Sequence, residues 1–224
     1  MQQLELWLAT PEAGNFFDPA TLSAADLQRW QTIRSPQRRA DWMSSRALLA
    51  HRPPAAAGAW SLSHSAGHAA LALGPAGFSL GVDLERCRPR RFLDLAANWF
   101  SPREFEQLSE LPLEEQEARF YLLWTLKEAC TKALGLALLQ ALRDCEWWLE
   151  GAGWQARLPI RSAWRAWAYA PRPDLRLALL AIGKDRDRHL TDTPALHGWP
   201  TGSEPARGDP PAWPCLLELA RPAR

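Results

Sequence analysis

The chain has 224 residues, and its 26 basic side chains comprise three lysines and 23 arginines against 25 acids, for a net charge of +1. That balance excludes a surface coated in positive charge for nucleic acid, and it excludes an acidic disordered polymer. Hydrophobic residues at 47% and thirteen tryptophans supply enough apolar surface for one large domain or two small ones.

No run of about eighteen apolar residues occurs, so no membrane span is expected. The N-terminal stretch has no basic region ahead of its apolar residues, and Glu5 interrupts them, so it does not read as a signal peptide. Cys87, Cys130, Cys145 and Cys215 show no metal-like spacing and read as reduced thiols of a cytoplasmic protein.

Residues 4–9 predict a first strand. Ser23 with Asp26 predicts a helix start and a helix to about Ile33, and Ser35-Pro36 starts a second helix that stops at Pro53-Pro54. Strands are expected near 69–73 and over 78–85, joined as a hairpin through Gly74-Pro75-Ala76-Gly77. A basic loop, 86–91, precedes helical periodicity at 92–110 and 114–134, with Gly135 as the stop signal. Alternation returns in CEWWLE, WQARL, WRAWAYA and LRLALLAI, which predict antiparallel strands. Seven prolines fall between Pro194 and Pro222, so 191–224 reads as a mobile tail in which CLLELA could dock.

Four groups of residues could carry chemistry. Asp83 and Glu85 share one face of a strand, with Leu80, Val82 and Leu84 on the other. Paired carboxylates repel and call for a cation, for which Mg²⁺ is suited; ordinary acids on a solvent-facing strand are the competing reading. Trp124, Glu128 and Lys132 line one helix face, and Lys127 and Lys132 are two of the only three lysines. In a chain that otherwise uses arginine, that concentration favours a phosphate contact or a shifted pKa over a simple surface pair. Ser63 and His64 at a strand entrance can donate to phosphate oxygens. Arg38, Arg39 and Arg46 lie on the helix that opens at Ser35-Pro36, and could grip an anion or form a solvated basic face. Ser101-Pro102-Arg103-Glu104 fits a capping box, although Glu104 could also face the site.

Taken together, these residues resemble the 4′-phosphopantetheinyl transferase superfamily. The elements occur in order: Arg46 to Leu49 (RALL), Leu62 to Ser65 (LSHS), Gly81 to Glu85 (GVDLE), Phe100 to Glu104 (FSPRE) and Trp124 to Lys132 (WTLKEACTK). The chain is most similar to the larger, monomeric type that activates surfactin synthetase, and within it to the holo-acyl-carrier-protein synthase 2 branch. The resemblance implies transfer of phosphopantetheine from coenzyme A to a serine of an apo acyl or peptidyl carrier protein, leaving 3′,5′-ADP. It implies an α+β fold of two similar, pseudo-twofold-related subdomains, each an antiparallel sheet with packed helices, at 1–78 and 79–190, meeting at a cleft near residue 79.

By the same resemblance, Asp83, Glu85 and Glu128 are Mg²⁺ ligands. Lys127 and Lys132 steady the pyrophosphate, and Glu128 is the candidate base for the carrier serine. Arg38, Arg39, Arg46, Ser63 and His64 hold the remaining coenzyme A phosphates. The family's usual Gly-Lys-Pro stretch is replaced here by PPAAAGAW, without lysine. A degenerate relative that binds coenzyme A or carrier without turnover, and a metal-dependent phosphohydrolase, are the alternatives. Arg86, Arg88, Arg90 and Arg91 are candidates for a rim that meets an acidic carrier.

Overall fold

A computed structural model describes residues 3–183, 193–200 and 213–222. In chain order the elements are β1 (Glu5–Ala9), α1 (Ala24–Thr32), α2 (Pro36–His51), β2 (Ala59–Ser65), β3 (His68–Gly74), β4 (Phe78–Arg86), α3 (Phe92–Trp99), α4 (Pro102–Ser109), α5 (Leu113–Leu134), α6 (Leu138–Asp144), β5 (Glu146–Glu150), β6 (Gly153–Arg157), β7 (Trp164–Tyr169), β8 (Leu175–Gly183), β9 (Ala195–Trp199) and β10 (Cys215–Arg221). The architecture is α+β, and the chain divides into two compact units: Met1–Ala76 with Asp192–Ala212, and Gly77–Thr191 with Trp213–Arg224.

In the first unit the sheet runs β2-β3-β1-β9. β3 is buried along its whole length, and α2 packs on it through Leu48 against Leu71 and Leu73. β2 and β3 form a hairpin through Ala66 and Gly67, both at positive φ (52° and 81°), the backbone twist that a two-residue hairpin turn requires. Asp41 of α2 accepts the Gly67 N–H, which ties the helix to that turn. β1 pairs antiparallel with β3 but parallel with β9, so this sheet is not wholly antiparallel.

In the second unit the sheet runs β10-β7-β8-β4, all antiparallel, with β5–β6 as a separate hairpin. α5 crosses β4 and β8, and its buried face carries Phe120, Leu123, Leu126 and Cys130 into the core with Leu142, Trp147 and Trp164. The helix ends at Gly135 in the left-handed region. The capping signals at Ser23, Ser35 and Ser101 all form, each hydroxyl accepting the N–H three residues on.

Three expectations change. β3 and β4 are not hairpin partners: β3 pairs with β2 and β1, and β4 pairs with β8, so Gly74–Gly77 connects the two units. The periodicity over 92–110 breaks into α3 and α4, because the Ser101-Pro102 cap starts a new helix. The segment 191–224 contains two strands. β9 gains its ladder from β1, while β10, the CLLELA stretch expected to dock, does so by pairing with β7 and burying Leu217. Residues 191–192, 201–212 and 223–224 of that segment, and Lys184, lie outside the described residues.

Candidate active site

The strand β4 positions the acids. Gly81, Asp83 and Glu85 point to the face that α5 covers. A Cβ at Gly81 would lie 2.6 Å from the Ala133 nitrogen and 3.0 Å from the Ala129 carbonyl carbon, and closer still to the Ala129 carbonyl oxygen. Only glycine admits the helix at this distance. The same close approach brings Lys132 to β4, where its ammonium donates to Asp83 Oδ1 at 3.0 Å and to the Val82 carbonyl at 2.8 Å.

Glu128 sits one helical turn before Lys132, and its pKa is pushed up to about 7. Burial is the largest cause. The negative charge of Asp83 adds to it, Lys132 opposes it, and Glu85 raises it further. Asp83, Glu85, Glu128 and Lys132 therefore share one electrostatic neighbourhood. Among the described residues, no three His, Cys, Asp or Glu side chains are gathered so as to hold a metal ion as they stand. The donor set nonetheless suits a hard divalent cation. It is all oxygen, and Asp83 and Glu85 raise the proton affinity of Glu128, a cost that a cation relieves.

Lys127 has a different place. One residue from Glu128 is about 100° round a helix, and there the side chain is fully buried (0% exposed). Its ammonium pairs with Glu104 at 2.9 Å and donates to the carbonyls of Leu142 (2.7 Å) and Cys145 (2.5 Å). Glu104 completes the capping box by accepting the Ser101 N–H at 2.8 Å, and its other oxygen accepts the Trp147 N–H at 2.9 Å. Burial pushes the Glu104 carboxyl up, against the pull of Lys127 and these donors. The pair joins α4, α5, the end of α6 and β5. This placement does not fit a pyrophosphate contact for Lys127 or a site-facing Glu104; both serve the core.

The arginines of the first unit divide similarly. Arg38 and His64 line a groove of about 680 Å³ together with Arg29, Arg34, Ser35 and Trp42. Arg39 instead lies over the Trp30 ring at 3.9 Å. Arg46 lies over Trp42 at 3.8 Å and pairs with Asp26 at 3.0 Å. Ser63 is buried and His64 exposed, as alternation on β2 requires. Sequence reasoning missed Arg29, in the last turn of α1, and Arg34, beside the Ser35 cap of α2. In the basic loop, Arg86 meets Asp174 at 3.3 Å, Arg91 meets Asp94 at 2.5 Å, and Arg90 lies 5.6 to 5.8 Å from the rings of Phe120, Tyr121 and Trp124.

Carboxylates that can take a cation, with an ammonium beside them, are the equipment of a protein that handles phosphate esters. Comparison with known proteins specifies the class. The family model of the 4′-phosphopantetheinyl transferase superfamily matches residues 79–179. The chain is 35% identical over 136 residues to the 4′-phosphopantetheinyl transferase AcpT of Salmonella typhimurium, covering 52% of this chain and 70% of AcpT. It is 47% identical over 57 residues to the 4′-phosphopantetheinyl transferase HetI of Nostoc, covering 25% of this chain and 24% of HetI. A Synechocystis relative is 39% identical over 86 residues, or 38% of this chain and 35% of that protein. The chain belongs to the 4′-phosphopantetheinyl transferase superfamily, although it spans only about a quarter to a third of the length of the latter two relatives.

Proposed function

We propose that the chain transfers 4′-phosphopantetheine from coenzyme A to a serine of an apo acyl or peptidyl carrier protein, with Mg²⁺, releasing 3′,5′-ADP. The observation that carries this reading is the seating of α5 on Gly81, which sets Glu128 and Lys132 beside Asp83 and Glu85. In the reaction the serine Oγ forms a bond to the pantetheine-bearing phosphorus, the phosphoanhydride bond breaks, and 3′,5′-ADP leaves. Glu128 takes the serine proton in its ionised form. Lys132 steadies the pyrophosphate oxygens. Asp83, Glu85 and Glu128 would hold Mg²⁺, which supplies charge neutralisation at the pyrophosphate. Arg38 and His64, with Arg29 and Arg34 beside them, offer donors for the remaining coenzyme A phosphate. We assign the chain to the monomeric, surfactin-synthetase-activating type and its holo-acyl-carrier-protein synthase 2 branch, on the five ordered motifs. Among the described residues no helix is long and apolar enough to cross a membrane.

Intact-mass spectrometry of apo carrier proteins incubated with the chain, coenzyme A and Mg²⁺ tests the proposal. The expected result is a phosphopantetheine adduct that chelator abolishes. Absence of any mass gain across acyl and peptidyl carriers would overturn it. Tight coenzyme A binding by calorimetry without transfer would instead establish a binding-only relative, the reading that the lysine-free PPAAAGAW connector favours.

A further inference from the structure

Among the described residues β6 pairs only with β5, and β10 only with β7, so each leaves one edge without a strand partner among them. A groove of about 360 Å³ lies between them. Three consecutive residues of each strand line it, Gln155 to Arg157 and Leu219 to Arg221, and the indoles of Trp148 and Trp164 complete it. Trp164 is buried, so it forms the base, whereas Arg157 is exposed and Arg221 half-buried. The lining holds two arginines and no acid. Arg157 reaches Glu146 at 2.9 Å yet keeps most of its side chain in solvent.

Exposed strand edges usually carry a bulge, a proline or a charge that blocks pairing. β10 has such an irregularity between Cys215 and Leu217, but from Leu217 to Arg221 its register with β7 is regular. Those five residues offer a ladder of about 17 Å. The Trp148 indole N–H is buried and meets no acceptor among the described residues.

We propose that this groove docks an extended, acidic protein segment, added as a strand along the open edge of β10. Its carboxylates meet Arg157 and Arg221, and alternate side chains lie over Trp148 and Trp164. Main-chain hydrogen bonds supply the affinity and the two guanidinium groups select for acid. The proposal does not depend on the transferase reading.

The test uses the full chain and a fluorescein-labelled peptide of four Glu-Val repeats, followed by anisotropy and by amide exchange. The expected result is saturable binding, slowed exchange over 215–221, and at least a tenfold loss of affinity in Arg157→Glu/Arg221→Glu. Arg221→Glu alone should lose affinity at an unchanged melting temperature, since Arg157→Glu also sets a carboxylate against Glu146, and Trp148→Ala provides a second perturbation of the same groove. Equal binding of a Lys-Val peptide, no binding of the acidic one, or protection confined to other strands would overturn the proposal. So would light scattering that shows a dimer with slowed exchange over 215–221 in the absence of peptide, since a second copy would then occupy the edge.

Discussion

Replacing Gly81 by alanine tests the seat of the site directly. The new methyl carbon would lie 2.6 Å from the Ala133 nitrogen and 3.0 Å from the Ala129 carbonyl carbon, where contact needs about 3.5 Å. The shortfall is therefore about 1 Å, and larger at the Ala129 oxygen. Both obstacles are helix backbone, so no side-chain rotation relieves them. Overpacking of this kind costs about 1–3 kcal/mol, and the rigid neighbours place it near the upper end. Burying one methyl returns only about 0.8 kcal/mol. Thermal unfolding should fall by on the order of 10 °C. The helix must also move by about 1 Å, which carries Glu128 and Lys132 away from Asp83, and a misplacement of that size costs about 100-fold in rate. Calorimetry and carrier-loading assays on Gly81→Ala measure both. A melting temperature within 1–2 °C of the parent (about 0.5 kcal/mol or less) with near-normal turnover would refute the claim that helix contact at Gly81 positions the site.

Lys127→Met should lose about 3–5 kcal/mol by urea unfolding, because Glu104 is left buried without its partner; adding Glu104→Gln should restore much of that. Lys132→Ala, by contrast, should unfold within a few degrees of the parent while carrier loading falls steeply, and equal destabilisation of the two variants would contradict their separate placements. Glu128 is raised in the folded state from 4.5 to about 7, so between those pH values the folded chain holds more protons than the unfolded one. Stability should therefore fall as pH rises through this window, by less than the full ~1.4 kcal/mol per pH unit since the group is partly exposed. Glu128→Gln should flatten that slope in metal-free melts. Arg38→Ala and His64→Ala should raise KM for coenzyme A with little change in melting, whereas Arg46→Ala should lower stability by about 1 kcal/mol through its lost Asp26 and Trp42 contacts.

The helix starts were legible because a capping hydroxyl, a proline at the first turn and a glutamate three residues on act within a few residues of each other. Ser35-Pro36 and the Ser101–Glu104 box needed nothing distant. The shared face of Asp83 and Glu85 was legible for the same reason. Lys127 was not: its partner Glu104 lies 23 positions away, and no local spacing distinguishes an inward lysine from an outward one beside it. The Asp26 partner of Arg46 was hidden likewise, since it reaches across from another helix. CLLELA stood out by its apolar residues, but that it pairs with β7, and that β9 exists at all, were hidden among prolines because both ladders come from distant strands rather than from a local pattern.

The order of the motifs, with the alternation and caps that build β4 and α5, is a property of the chain alone, since each depends on neighbours a few residues apart. Which of the two motif lysines faces the acids, which arginines share a groove with His64, and what the last thirty residues pair with were decided only by tertiary packing. Each is a choice between faces of a helix or edges of a sheet, and the energy that makes it belongs to contacts between segments far apart in sequence.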